Sequence, residues 1–196
     1  MSTKKKIPGR GRPRVFDREK AIAVGQRLFH ERGYDAVSIA ELTDAMGIKP
    51  PSFYAAFGSK AGLYDVVLER WDDNGAIPFD KILTPGRPVA DGLAELLEVA
   101  AELYSGDRET RGCMVIEGTR SHDFHAREAA SRRNNDAENL IRRFVEAHHP
   151  EVAGQIADFV STTMVGLSAK ARQGHDRGRL LAISAIADKA IRRALD

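Results

Sequence analysis

Apolar residues recur along the chain at helical spacing and form no run of period-two alternation, so the pattern predicts helices throughout and no strand. Ala21, Gly25, Leu28 and Phe29 lie at i, i+4, i+7 and i+8, with Ile22 beside them. Asp17 is the N-cap of this first helix, which runs to about Arg32 and stops at Gly33. Ile39, Leu42 and Met46 form the next apolar stripe. Ser38 and Glu41 have the spacing of a capping box at its start, and Gly47 suits a left-handed stop at its end. Pro50 and Pro51 then open a further helix, because a first turn has no intrahelical use for their missing N–H groups. Two short helices joined at Met46-Gly47-Ile48 make a helix-turn-helix pattern, with Ile39, Leu42, Met46, Ile48, Phe53 and Phe57 as its core.

Leu63, Tyr64, Val67, Leu68 and Trp71 predict a fourth helix from Ser59 to about Asp72. The stretch from Asp72 to Pro88 holds Asn74-Gly75, Pro78, Pro85 and Gly86 and reads as a joint between domains. Beyond it the periodicity gives a helix marked by Leu93, Leu96, Leu97, Ala100 and Leu103, and a short one over Cys113 to Arg120. Three longer ones follow, from Phe124 to about His148, from Glu151 to Gln173, and on to Leu195, about nine in all. The expectation is an all-α fold in three parts: a flexible basic arm over residues 1–16, a helix-turn-helix domain over 17–72 whose last helix is the link, and a helical domain over 73–196.

The string Gly33-Tyr34, Ser38-Ile39 to Leu42, Ala45-Met46-Gly47-Ile48, Phe53-Tyr54, Phe57 and Ser59-Lys60 to Leu63-Tyr64 resembles the TetR family of transcriptional regulators. The resemblance is dense to about residue 71 and fades beyond. It implies a dimeric repressor that a small molecule releases from its operator. It also implies that Ser38, Tyr54 and Lys60 hold the DNA backbone. Lys49, Pro50, Pro51, Ser52 and Ala55 would meet base edges, where lysine can contact guanine and proline can touch only thymine methyls. Gly62 departs from the family, which more often places an acidic residue there.

Charge adds an arm to this picture. Eight basic residues against Asp17 and Glu19 give residues 1–20 a charge of +6, so the remaining residues carry −4 against the overall +2. Within the arm Arg10-Gly11-Arg12-Pro13 resembles the core of an AT-hook, and Arg10, Arg12 and Arg14 can enter the narrow minor groove of A·T-rich DNA. No stretch reaches the roughly 20 apolar residues that span a bilayer, and no apolar run follows the basic start as in a secretory signal, so a cytoplasmic protein is expected.

The last two helices mix large apolar with small residues, which allows close approach. With the family resemblance they predict a dimer interface carrying Phe159, Thr163, Leu167, Leu180, Ser184, Ala187 and Ile191. An effector pocket is expected between the helix carrying Leu93 and that carrying Phe159, with Tyr104, Met114, Glu117, Phe124, Phe144 and Phe159 as candidate lining. No cofactor motif is present: the chain has no Walker loop, no HExxH and no glycine fingerprint behind a strand, and no enzyme is predicted. Two alternatives stay open. One is an architectural protein of A·T-rich DNA without an effector. The other is a regulator that senses metal through His122 and His125 with Asp123 and Glu117 nearby, or redox state through the single Cys113 beside Arg111.

Overall fold

The computed structural model describes residues 16–196. They form ten helices: α1 (Arg18–Arg32), α2 (Ile39–Met46), α3 (Pro50–Phe57), α4 (Lys60–Asn74), α5 (Phe79–Ile82), α6 (Val89–Tyr104), α7 (Met114–Gly118), α8 (Phe124–Glu146), α9 (Ala153–Arg172) and α10 (Arg177–Leu195). No strand occurs among the described residues. The helix beyond the expected nine is α5, a single turn inside the segment 73–88. It forms because Ile77 and Ile82 are buried against α6, an apolar drive that the local proline and glycine signals mask.

Local chemistry sets the element ends. The Asp17 carboxylate accepts from the Lys20 N–H at 3.1 Å and starts α1. Gly47 has φ 67° and ψ 33°, the left-handed conformation that glycine adopts without strain, and it turns the chain from α2 towards α3. The Ser59 hydroxyl accepts from the Gly62 N–H at 2.9 Å and starts α4. A Cβ on Gly62 would lie 2.2 Å from the Phe57 carbonyl oxygen, so the departure from the family at this position matches a close backbone approach.

Helices α1 to α4 enclose one apolar cluster. Phe29 stacks on Tyr34 at 5.5 Å and meets Tyr64 edge-on at 5.3 Å, with Leu42, Phe53, Leu63 and Leu68 fully buried around them. Each such side chain contributes about 1.5–3 kcal/mol by leaving water. The cluster continues past α4, taking in Met114 of α7 and Ala126 and Ala129 of α8. A Cβ on Gly118 would come within 2.2 Å of the Tyr64 hydroxyl and 2.8 Å of the Ala130 Cβ, so α7 lies directly on α4.

The second cluster is built by α6, α9 and α10 around Leu93, Leu96, Leu97, Val160, Leu167, Leu180 and Ile191. Here the structure corrects the dimer assignment. Leu167, Leu180, Ser184, Ala187 and Ile191 are buried within the protomer, where α10 packs on α6 and α9. The Ser184 hydroxyl donates to the Leu97 carbonyl at 3.0 Å, so small residues on α10 serve its close approach to α6. Phe159 and Thr163 do reach the outside, on a face with Thr162 and Gly166 of α9 and Ala182, Ala185, Ile186 and Ala190 of α10. Ile186 is 70% exposed there.

Polar ties join the two clusters. His30 Nε2 lies 3.0 Å from the Gly112 carbonyl oxygen, and the His30 carbonyl accepts from Arg172 Nη2 at 3.0 Å. Asp35 accepts from the Ser121 hydroxyl at 2.7 Å and the His122 N–H at 2.8 Å. Arg133 Nε donates to Asp72 at 2.9 Å, linking α8 to α4. Among the described residues no helix is long and apolar enough to cross a membrane.

Candidate nucleic-acid interface and effector cavity

Helix α3 buries Phe53 and Phe57 and exposes the opposite face, which carries Pro50, Pro51, Ser52, Tyr54 and Ala55. Lys49 occupies its N-cap with no side-chain hydrogen bond to the helix, so its ammonium group is not tied down as a cap. Tyr54 is 48% exposed while its ring meets Phe53 edge-on at 5.7 Å, which fixes the ring and leaves the hydroxyl outside. Lys60 Nζ sits 4.0 Å from the centre of the Tyr34 ring, a cation–π contact that orients the ammonium group. Desolvation pulls the Lys60 pKa down, opposed by the charges of Asp35, Asp123 and Glu41.

At the start of α2 the capping box is present, and its geometry constrains Ser38. The Ser38 N–H and hydroxyl both donate to Glu41 Oε2, at 2.8 and 2.7 Å, and Arg32 Nη1 holds Glu41 Oε1 at 2.7 Å. Hydrogen bonds from the Ser38 backbone, the Ser38 hydroxyl and Arg32 hold the Glu41 pKa down at about 2. Both donors expected to take a phosphate are therefore engaged by a carboxylate. Arg10, Arg12 and Arg14 of the basic arm lie outside the described residues.

A cavity of about 560 Å³ opens between the two clusters, a volume typical of small-molecule sites. Gln26 and His30 of α1 and Trp71, Asp72 and Asn74 of α4 line one side. Leu103 and Tyr104 of α6, Gly112 and Cys113 of the following turn, Arg133, Asn134 and Leu140 of α8, and Met164 of α9 line the rest. Burial draws the His30 pKa down to about 4, despite the opposing bond to Gly112, so the ring is neutral at pH 7 and edge-on to Trp71 at 4.9 Å.

Of the six residues expected to line an effector pocket, only Tyr104 does so. Met114 faces the α1–α4 cluster, drawn there by the close seat of α7 on α4. Glu117 pairs with Arg172 at 3.6 Å. Phe124, at the first turn of α8, is 62% exposed and carries Arg127 over its ring. Phe144 packs beside Gly92, where a Cβ would be 2.7 Å from its ring, and Phe159 faces outward. The cavity thus lies nearer the helix-turn-helix than expected. Sequence reading missed Gln26, His30 and Trp71 as lining; the visible signal was a glutamine and a histidine one turn apart beside the apolar face of α1.

The sensing alternatives find little in the geometry. Among the described residues no three His, Cys, Asp or Glu side chains are grouped to hold a metal ion. His122 Nδ1 lies against Asp35 at 3.1 Å and His125 is exposed. Cys113 is buried, and burial pushes its thiol away from the reactive thiolate, although bonds from the Ile116 and Val115 N–H groups and the Tyr104 hydroxyl pull the other way.

Comparison with known proteins agrees with this arrangement. Residues 21–67, the span from α1 into α4, match the family described as bacterial regulatory proteins, tetR family. Over 196 residues, all of both chains, the sequence is 48% identical to the HTH-type transcriptional repressor BdcR of Escherichia coli (strain K12). It is 29% identical over 187 residues, 89% of each chain, to the HTH-type transcriptional repressor ComR of the same organism. Among solved structures it superposes with a TM-score of 0.83 and 32% identity on the TetR family transcriptional regulator CifR, a cysteine mutant in complex with 26-bp operator DNA. The match covers 91% of this chain and 99% of that one. An outward recognition helix on a helix-turn-helix core, followed by a helical bundle and matched over its whole length, places this chain in the TetR family of bacterial transcriptional regulators.

Proposed function

We propose that the protein is a homodimeric transcriptional repressor that binds a pseudo-palindromic operator and leaves it when a small molecule enters the cavity between α1–α4 and α6–α8. The observation that carries this reading is the exposed face of α3. Phe53 and Phe57 lock the helix into the core, while Lys49, Pro50, Pro51, Ser52 and Tyr54 point outward, and Lys60 stands in the first turn of α4. Residues 17–72 act as the DNA-binding unit and 73–196 as the effector and dimerisation unit, with the basic arm adding Arg10, Arg12 and Arg14 as minor-groove contacts. The outward face of α9 and α10 pairs with its copy to form a four-helix bundle. That pairing sets two recognition helices about 34–36 Å apart, one turn of B-DNA. BdcR and ComR, both repressors, support the sign of the regulation.

Selecting binding sites from a random duplex pool tests it. The expected result is a two-fold-symmetric site bound by a dimer, with sequence preference retained after deletion of residues 1–15. Preference for any A·T-rich duplex that vanishes with the arm identifies an architectural protein instead.

A further inference from the structure

The cavity wall shows what kind of molecule suits it. Asp72, Arg133 and Asp136 are its charged side chains among the described residues, and the Arg133 guanidinium already donates to Asp72 at 2.9 Å. The wall therefore carries excess negative charge. An anionic guest would meet no unpaired cation there. His30 supplies none, because burial keeps its ring neutral and its Nε2 is engaged with Gly112. Asp72 and Asp136 are exposed and keep their water, so a cationic guest seated against α1 would give up its own hydration beside the uncharged Gln26 and His30, which costs more than neutral groups return. The Trp71 ring, Leu103, Leu140 and Met164 supply apolar surface. Gln26 Oε1 is buried without a hydrogen-bond partner among the described residues, so an uncharged polar handle remains on the α1 side.

We infer that the cavity takes an uncharged, largely apolar organic molecule bearing a hydroxyl or amide, and that this molecule acts as a wedge between α1–α4 and α6–α8. The inference rests on the effector reading above. Both partners of the His30–Gly112 hydrogen bond lie on the wall, so a guest lodged between them bears on the tie that fixes the helix-turn-helix. Such a guest needs no relay through the bundle, since it touches α1 and α4 directly.

Trp71 is the single tryptophan of the chain and lines the cavity, so its emission reports occupancy. Three probes of one shape and different charge are titrated into the full-length protein at pH 7: adamantylmethanol, adamantanecarboxylate and adamantylmethylammonium. The alcohol should bind more tightly than the carboxylate by about tenfold or more, and more tightly than the ammonium by about threefold. Ala137→Leu, which narrows the cavity from α8, should weaken the alcohol by about tenfold with helicity unchanged. Ala76→Leu, from the opposite side, serves as the second narrowing variant. A carboxylate or ammonium that binds as tightly as the alcohol overturns the ligand class. So does a silent Trp71, or alcohol binding unchanged in both variants. Alcohol binding as expected that leaves the operator complex intact overturns the effector reading and leaves the ligand class standing.

Discussion

His30 and Gly112, 82 residues apart, meet at 3.0 Å through a ring nitrogen and a carbonyl oxygen, and this contact ties the last turn of α1 to the turn between α6 and α7. The ring must donate, so it must carry its proton on Nε2 while staying neutral overall. Its pKa falls from 6.5 to about 4 on folding. The unfolded chain therefore binds a proton between those values and the folded chain does not, so stability is full above pH 6.5 and declines as pH falls towards 4. The loss approaches about 3 kcal/mol. Thermal midpoints recorded from pH 7.5 to 4 should show this slope in the wild type. It should be much shallower in His30→Gln, which keeps a donor and does not titrate, with His175 and Glu41 supplying what remains. Glu41 begins to lose its contribution as pH falls below about 4.5 and Asp35 below about 3.8, and both losses are complete once pH has fallen through the lowered values of about 2.

Lys60→Ala should weaken operator binding uniformly across sequence variants and reduce the slope of log affinity against log salt by about one, as expected for one lost phosphate contact. Titrations at several salt concentrations give the slope. An unchanged slope would remove Lys60 from the contact set.

Lys49→Ala should act differently, because Lys49 stands at the leading edge of α3 with its side chain free of capping duty. Affinity should drop by about 1–3 kcal/mol for sites with the preferred base at one position and change little for the others. A loss spread evenly over all positions would make it a backbone contact.

Gly118→Ala should destabilise the fold sharply, since the added methyl meets the Tyr64 hydroxyl and the Ala130 Cβ at distances that forbid it. Overpacking of this kind costs about 1–3 kcal/mol, or roughly 2–4 °C in Tm per kcal/mol for a chain of this size. A melting curve unchanged within 2 °C would show that α7 can move off α4 at little cost.

If the proposed dimer forms through α9 and α10, Ile186→Glu should yield a folded monomer and reduce operator affinity with it, because Ile186 is 70% exposed on α10. Leu180→Glu should instead unfold the protomer, as Leu180 is fully buried under α6 and α9. Sedimentation and circular dichroism on the pair separate the two surfaces.

Local chemistry made the helix-turn-helix readable before any coordinates. The Ser38–Glu41 box, the left-handed Gly47 and the Pro50-Pro51 start act within a few residues, so their spacing alone states the result. Periodicity likewise exposed the buried face of each long helix. It does not say which neighbour covers that face: the spacing of Leu180, Ser184 and Ile191 suits a contact between two copies as well as the cover by α6 that the fold provides. The cavity was harder still. Its position depends on contacts such as His30 with Gly112 and Arg133 with Asp72, between residues far apart in sequence and with no motif to mark them.

The Glu41 carboxylate gives the N-terminal end of α2 its own counterion. With Oε2 on the Ser38 donors and Oε1 on Arg32, it takes up the N–H and hydroxyl that a helix start otherwise offers to an anion. Any phosphate that reached this helix end would have to displace an anion already bound to the protein. Such an internal competitor acts on every DNA equally, so it sets the overall strength of binding and leaves the ratio between operator and random duplex to the other contacts.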